Sequence, residues 1–197
     1  MAPTTPGGYC RQCGARTAAV VPVGDNRPRS VCGQCGAIEY DNPKVVVACP
    51  LYEGDRILWI RRRTAPYAGC WAIPSGFLEN GETLREAACR ELLEETRLHV
   101  RPEDLVLYGA LSLPDMQEIY IALVAPLPSH DYGTSAEASE VRMVAREEVE
   151  SLDLGYPEPT TALLLGVYDV IARGELDRLT ARLWDIRGFD PAAHARS

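Results

Sequence analysis

The run Arg90-Glu91-Leu92-Leu93-Glu94-Glu95 sets three carboxylates beside one guanidinium. At about 100° per residue of helix, Glu91, Glu94 and Glu95 fall within an arc of roughly 100°. Leu84, Ala87 and Ala88 share that sector, while Arg85, Glu86 and Arg90 lie outside it. A merely solvated helix, laced by pairs such as Arg90–Glu94, would turn its acids away from its small apolar residues. Glu91 and Glu95 are moreover like charges four apart, unfavourable without a counter-charge. A divalent cation removes that conflict. Oxygen-only donors select Mg²⁺ or Mn²⁺ over zinc, and Mg²⁺ held by a few carboxylates commonly engages substrate phosphates.

A second constellation is Cys10-Arg11-Gln12-Cys13 with Cys32-Gly33-Gln34-Cys35, eighteen residues apart. Paired C-x2-C units at this distance read as a tetrahedral zinc site, and four thiolates leave no open position, so the zinc is structural. Gly14 and Gly36 follow the two pairs, where a tight turn is needed. Cys49, Cys70 and Cys89 sit in apolar surroundings and read as buried thiols.

The elements that position these groups can be read around them. Thr83 followed by Glu86 is a capping-box pattern that starts a helix at Leu84. Val45 to Cys49 and Ile57 to Ile60 are short β-rich runs around Glu53-Gly54-Asp55 and read as a hairpin. Arg61, Arg62 and Arg63 follow; a solvated charge run is the plain reading, and Arg61 and Arg62 are the candidates for phosphate contact. Trp71 reads as core before base-stacking and is kept as a candidate substrate contact. Ile119 to Ala125 is a further strand. Leu163, Leu164, Val167 and Ile171 have helical spacing within Pro159 to Ala172 and should pack on the sheet.

Gly76, Glu82, Arg90, Glu91, Leu92, Glu94, Glu95 and Leu98 together resemble the Nudix box, G-x5-E-x7-R-E-U-x-E-E-x-G-U with U aliphatic. One position departs: Arg97 stands where the box has glycine. A glycine there suits a left-handed helix stop, so Arg97 either adopts that conformation at a cost or the helix ends differently. The resemblance implies an α/β/α sandwich with a mixed sheet, and hydrolysis of a nucleoside diphosphate linked to another moiety, X. By matched position it implies Glu91, Glu94 and Glu95 as Mg²⁺ ligands, with Glu91 a ligand or the base that activates water. Arg90 orients the glutamates, Glu82 supports them, and the carbonyl of Ser75 or Gly76 is a backbone ligand. Glu140 is the candidate for a late ligand or base, with Glu137 and Glu118 behind it.

A zinc ribbon ahead of such a box resembles the NADH-pyrophosphatase group and a smaller ADP-ribose/FAD pyrophosphatase group. The first carries a Ser-Gln-Pro-Trp-Pro-Phe-Pro-like stretch that is absent here. Tyr108 to Pro114, the Tyr120 strand, Glu137 to Arg142 and Tyr40-Asp41-Asn42-Pro43-Lys44 resemble the second. The resemblance spans about residues 9 to 173 and implies ADP-ribose or FAD first, then NAD(H) or an NAD-derived intermediate, giving AMP and X-phosphate. Cleansing of nucleoside triphosphates and a non-catalytic ADP-ribose/NAD sensor are the alternatives.

With 197 residues and 46% hydrophobic composition the chain holds a domain of ordinary size plus a small module. The expected layout is a loose 1–8, a ribbon at 9–43, the catalytic domain at 44–173, and an Arg-rich helix or tail at 174–197. A net charge of −8 argues against nucleic-acid polymers and membranes. No leader or membrane segment is read, which fits a cytoplasmic protein, and a homodimer is expected from the resemblance.

Overall fold

The computed structural model describes residues 8–155 and 158–178. The chain divides into two units, Met1–Pro43 with Pro114–Gln117, and Lys44–Leu113 with Glu118–Ser197. The first carries a four-stranded antiparallel sheet of β1 (Gly8–Tyr9), β2 (Arg16–Val20), β3 (Arg29–Cys32) and β4 (Ile38–Glu39), paired in that order. Two equivalent turns hold its cysteines. The Gly14 N–H donates to the Cys10 carbonyl at 2.9 Å and that of Gly36 to Cys32 at 3.0 Å. Both glycines have a φ of 74°, which only glycine adopts freely.

The second unit is built on β5 (Lys44–Ala48), β6 (Leu51–Glu53), β7 (Arg56–Arg62), β8 (Trp71–Ala72), β9 (Ser75–Phe77), β10 (Val106–Leu113), β11 (Glu118–Pro126) and β12 (Ala138–Ala145), with helices α1 (Leu84–Thr96) and α2 (Glu158–Ala172). The strands run β12-β7-β6-β11-β5-β9, with β10 also on β11 and β8 on β7. β11 joins the two halves of this mixed sheet: it is parallel to β5 and β6 and antiparallel to β10.

The expected hairpin is corrected. β7 pairs with β6, not with β5, and β5 lies between β11 and β9. Pro50 interrupts the apolar run; having no N–H it cannot continue a ladder, and the chain passes from one half of the sheet to the other there.

Alternation along the strands fills two cores. Leu58, Val47 and Leu123 pack with Ala87, Ala88 and Leu92 of α1. Ile57, Trp59, Val124 and Val144 pack with Leu164, Val167 and Tyr168 of α2. A helix thus covers each face, which is the sandwich expected. Tyr168 ties α2 down: its hydroxyl accepts from Trp59 Nε1 and donates to the Val144 carbonyl, both at 2.9 Å. The side chain of Leu163 and residues 179–197, where a docking helix or tail was expected, lie outside the described residues.

Candidate active site

α1 begins where its capping box places it. The Thr83 hydroxyl accepts from the Glu86 N–H at 3.2 Å and the Glu86 carboxylate from the Thr83 N–H at 2.7 Å. That fixes the rotation of the helix. Its buried side is Ala87, Ala88, Glu91, Leu92, Glu95 and Thr96, so two carboxylates are pressed toward β9. Glu95 is only 2% exposed, and its Oε2 accepts from the Ser75 N–H at 2.8 Å. Glu91 lies against Gly76 so closely that a Cβ there would stand inside its carboxyl group. Gly76 is therefore required by a close approach, with no role for an unusual φ.

Arg90 gathers the acids. Its Nε and Nη2 form a two-pronged bond to Glu82 at 2.7 and 2.9 Å, and Nη1 reaches Glu91 Oε1 at 2.5 Å and Glu94 Oε2 at 3.4 Å. Nη2 also donates to the Phe77 carbonyl at 2.9 Å, tying helix to strand. A planar fork is the group suited to such bidentate contacts. The Arg90 guanidinium holds Glu82 below the usual carboxylate range. Burial pushes Glu91 up despite Arg90, and pushes Glu95 up to about 8 despite the Ser75 N–H and Arg62. The charge of Glu91 adds to the rise at Glu95.

Glu91 and Glu95 thus bring two buried, hydrogen-bonded carboxylates whose ionised forms lack a full counter-charge. That donor set fits a hard divalent cation. Glu94 is about half exposed and rests on Arg90. Among the described residues no three acidic side chains have their oxygens within 4.8 Å of one another.

The other candidates separate by strand phase. Glu140 lies opposite Arg61 on β12, about half exposed and 4.0 Å from its guanidinium. Val141 and Met143 pack in the α1 core, whereas Val144 packs in the α2 core. Glu140 alternates with Val141 and so projects from the face away from α1. This corrects its reading as a late ligand. Glu137, which precedes β12, is the acid of this segment whose charge is felt at both Glu91 and Glu95, after the larger effect of burial. The signal was a register shift between Ala138 and Glu140, which spacing alone does not reveal.

Trp71 is a core residue, as its first reading had it, 8% exposed, with the Arg142 guanidinium 4.8 Å above its ring. Arg61 Nε donates to the Gly69 carbonyl at 2.8 Å and Arg62 Nε to that of Pro66 at 3.2 Å. Each thus spends its Nε on the loop, and Arg61 stays about half exposed. Ser75 takes part through its N–H.

In the ribbon the four cysteine sulfurs lie within 4.8 Å of one another. Cys10–Cys35 is 3.7 Å and Cys13–Cys32 is 3.5 Å. Tetrahedral zinc at about 2.3 Å from each sulfur has edges of about 3.8 Å, so the cage has the right size. Hydrogen bonds from the Cys35 and Gln34 N–H groups lower Cys32 to about 6, favouring a thiolate.

Comparison with known proteins agrees with this anatomy. The family described as NUDIX domain matches residues 42–163, and that described as Nudix N-terminal, a zinc ribbon, matches residues 8–41. The chain belongs to the Nudix hydrolase family and carries its N-terminal zinc-ribbon module. A Nudix hydrolase structure from Nitrosomonas europaea is similar over 87% of this chain and 91% of its own, at 34% identity and a TM-score of 0.70. An ADP-ribose pyrophosphatase of Methanocaldococcus jannaschii is 42% identical over 76 residues, 39% of this chain and 44% of that protein. The NAD-capped RNA hydrolase NudC of Vibrio parahaemolyticus is 33% identical over 95 residues, 47% of this chain and 34% of that one. The chain spans less than half the length of these two curated relatives. Among the described residues no helix is long and apolar enough to cross a membrane.

Proposed function

We propose that this protein hydrolyses the pyrophosphate bond of an ADP-containing dinucleotide or nucleotide sugar, ADP-ribose and FAD first, giving AMP and X-phosphate. The observation that carries the reading is the pair of buried carboxylates, Glu91 on Gly76 and Glu95 on the Ser75 N–H, gathered by Arg90. The similarity to an ADP-ribose pyrophosphatase supports the substrate class. Glu91, Glu95 and a reoriented Glu94 would hold Mg²⁺, which when bound neutralises phosphate charge and acidifies water.

The chain's own residues set the rest. Arg90 fixes the Glu91 carboxylate through the contact at 2.5 Å and is itself fixed by Glu82. That rigidity matters because such catalysis is mainly positioning and charge stabilisation. Ser75 orients one oxygen of Glu95, leaving the other for the ion. We assign the proton of the attacking water to Glu137, before β12, whose charge is felt at both Glu91 and Glu95. The four cysteines would hold zinc that sustains the ribbon, which is too small to fold on a core of its own.

A panel of ADP-ribose, FAD, NADH, NAD, nucleotide sugars and triphosphates, with Mg²⁺ and chromatographic separation of products, tests the reading. AMP from one or two ADP-linked compounds supports it and names X. Inorganic pyrophosphate from a triphosphate, with ADP-linked compounds inert, overturns it.

A further inference from the structure

The strand that carries Gly76 also carries a ring that the hydrolase reading leaves unused. β9 stands last in the strand order, and the groups it turns outward are the ones α1 takes: the Ser75 N–H donates to Glu95 at 2.8 Å and the Phe77 carbonyl accepts from Arg90 Nη2 at 2.9 Å. Between them Gly76 lies opposite Val47 of β5 and turns its missing Cβ into Glu91. By alternation the Phe77 side chain leaves the same edge on the other face of the sheet. There the residue is 44% exposed, and the Lys44 ammonium stands 5.0 Å from the centre of its ring. Lys44 opens β5 and is itself exposed. Glu118 of β11 is its cross-strand neighbour, yet among the described residues no carboxylate forms an ion pair with that ammonium. The cation is seated on an aromatic face instead.

The course of a substrate follows from what is already filled. A pyrophosphate held by Glu91 and Glu95 lies at the β9 edge, because those acids touch Gly76 and Ser75. On the α1 face that edge is closed: Glu91 rests on Gly76, and Val47, Leu92, Leu78 and Leu84 pack together behind it. On the other face the edge ends in Phe77 and Lys44. An arm of the substrate that leaves the acids along the sheet therefore runs onto the Phe77 ring. Arg90 holds both Glu91 and the Phe77 carbonyl, so acids and ring keep one fixed spacing. The pair has the chemistry of a nucleotide receptor. A flat apolar ring stacks a base, and an ammonium without a carboxylate partner is a point charge for phosphate.

We propose that Phe77 and Lys44 form the nucleotide subsite of this site: the Phe77 ring stacks the base of the ADP-linked substrate, and the Lys44 ammonium binds the phosphate joined to that nucleoside. The proposal rests on the hydrolase reading above and names the residues that select a base-bearing substrate. Loss of a base–aromatic stack, or of a charge-assisted bond to phosphate, weakens binding by about 10-fold or more.

The test measures binding of AMP by calorimetry and of adenosine by ligand-observed NMR, in Mg²⁺, to wild type, Phe77→Leu, Phe77→Tyr, Lys44→Met and Lys44→Arg. Phe77→Leu should weaken both ligands by about 10-fold or more, and Phe77→Tyr, which keeps a ring, should stay within about threefold of wild type. Lys44→Met should weaken AMP by about 10-fold and leave adenosine within about threefold, with Lys44→Arg restoring most of the AMP affinity. KM for ADP-ribose should rise in the same order. Should Phe77→Leu fail to fold, Lys44→Met against Lys44→Arg still decides, because Lys44 is exposed. Equal AMP binding in wild type, Phe77→Leu and Lys44→Met would overturn the proposal, and so would a wild type that binds no AMP. A loss of adenosine binding in Lys44→Met as large as that of AMP would overturn the phosphate role. Hydrolysis of ADP-ribose with one KM in all five proteins would sink the subsite and leave the hydrolase reading intact. The expected AMP pattern in a wild type inert on every pyrophosphate would defeat the hydrolase reading and leave the subsite standing.

Discussion

Glu95→Gln separates what the carboxylate costs the fold from what it gives the site. Glu95 is 2% exposed and its folded pKa is about 8 against an ordinary 4.5, because burial disfavours the charge. A carboxyl raised on folding keeps its proton in the native state where the unfolded chain has lost it. Stability is therefore full below about pH 4.5 and declines as pH rises toward about 8, at about 1.4 kcal/mol per pH unit. The total is at most about 5 kcal/mol. Glutamine keeps the acceptor for the Ser75 N–H and removes the titration. In Mg²⁺-free buffer that retains zinc, the variant should match wild type near pH 5 and exceed it by about 2–5 kcal/mol at pH 8. Urea midpoints followed by the fluorescence of Trp59 and Trp71, both in the core of this domain, read the difference. Adding Mg²⁺ should stabilise wild type more at pH 8 than at pH 6 and leave the variant unmoved. Parallel pH curves for the two proteins would refute the reasoning, because Glu95 would then carry no strained charge.

Gly76→Ala should leave the fold cooperative and lower turnover by more than about 10²-fold, since the new methyl group evicts Glu91; unchanged kcat would show that Glu91 need not touch β9. Arg97 caps α1 in the left-handed conformation, with φ 67° and its N–H on the Leu93 carbonyl. Arg97→Gly should therefore raise stability by about 1 kcal/mol in thermal or urea unfolding, and a loss would show that Arg97 is held there by its side chain. Tyr168→Phe should cost about 1–3 kcal/mol by leaving Trp59 Nε1 and the Val144 carbonyl without their buried partner. Atomic emission should find near-stoichiometric zinc in the wild type and none in Cys32→Ser, whose ribbon should become open to protease; zinc retained by the variant would contradict the four-cysteine cage.

The local signals were legible because each needs only a few neighbouring residues. Thr83 and Glu86 fixed the first turn of α1, and the helical period then put Glu91 and Glu95 on its buried side, as found. The C-x2-C pairs carried the ribbon in the same way. Arg97 left two endings open, and the left-handed one is adopted. What failed depends on contacts distant in sequence. Nothing local says that β5 joins β9 and β11 rather than β7. Glu137 and Glu140 differ only by the strand phase at an irregularity. That Arg61 and Arg62 each hold a carbonyl, of Gly69 and Pro66, was not legible either, because those partners are defined only by the shape of the loop.

The central claim is that the α1 glutamates organise hydrolysis of an ADP-linked pyrophosphate. AMP release from ADP-ribose and FAD, with and without Mg²⁺, by wild type, Glu94→Gln and Glu95→Gln, addresses it most directly. The account predicts Mg²⁺-dependent release by wild type and a drop of at least about 10²-fold in each variant. Near-normal release by both variants would contradict it.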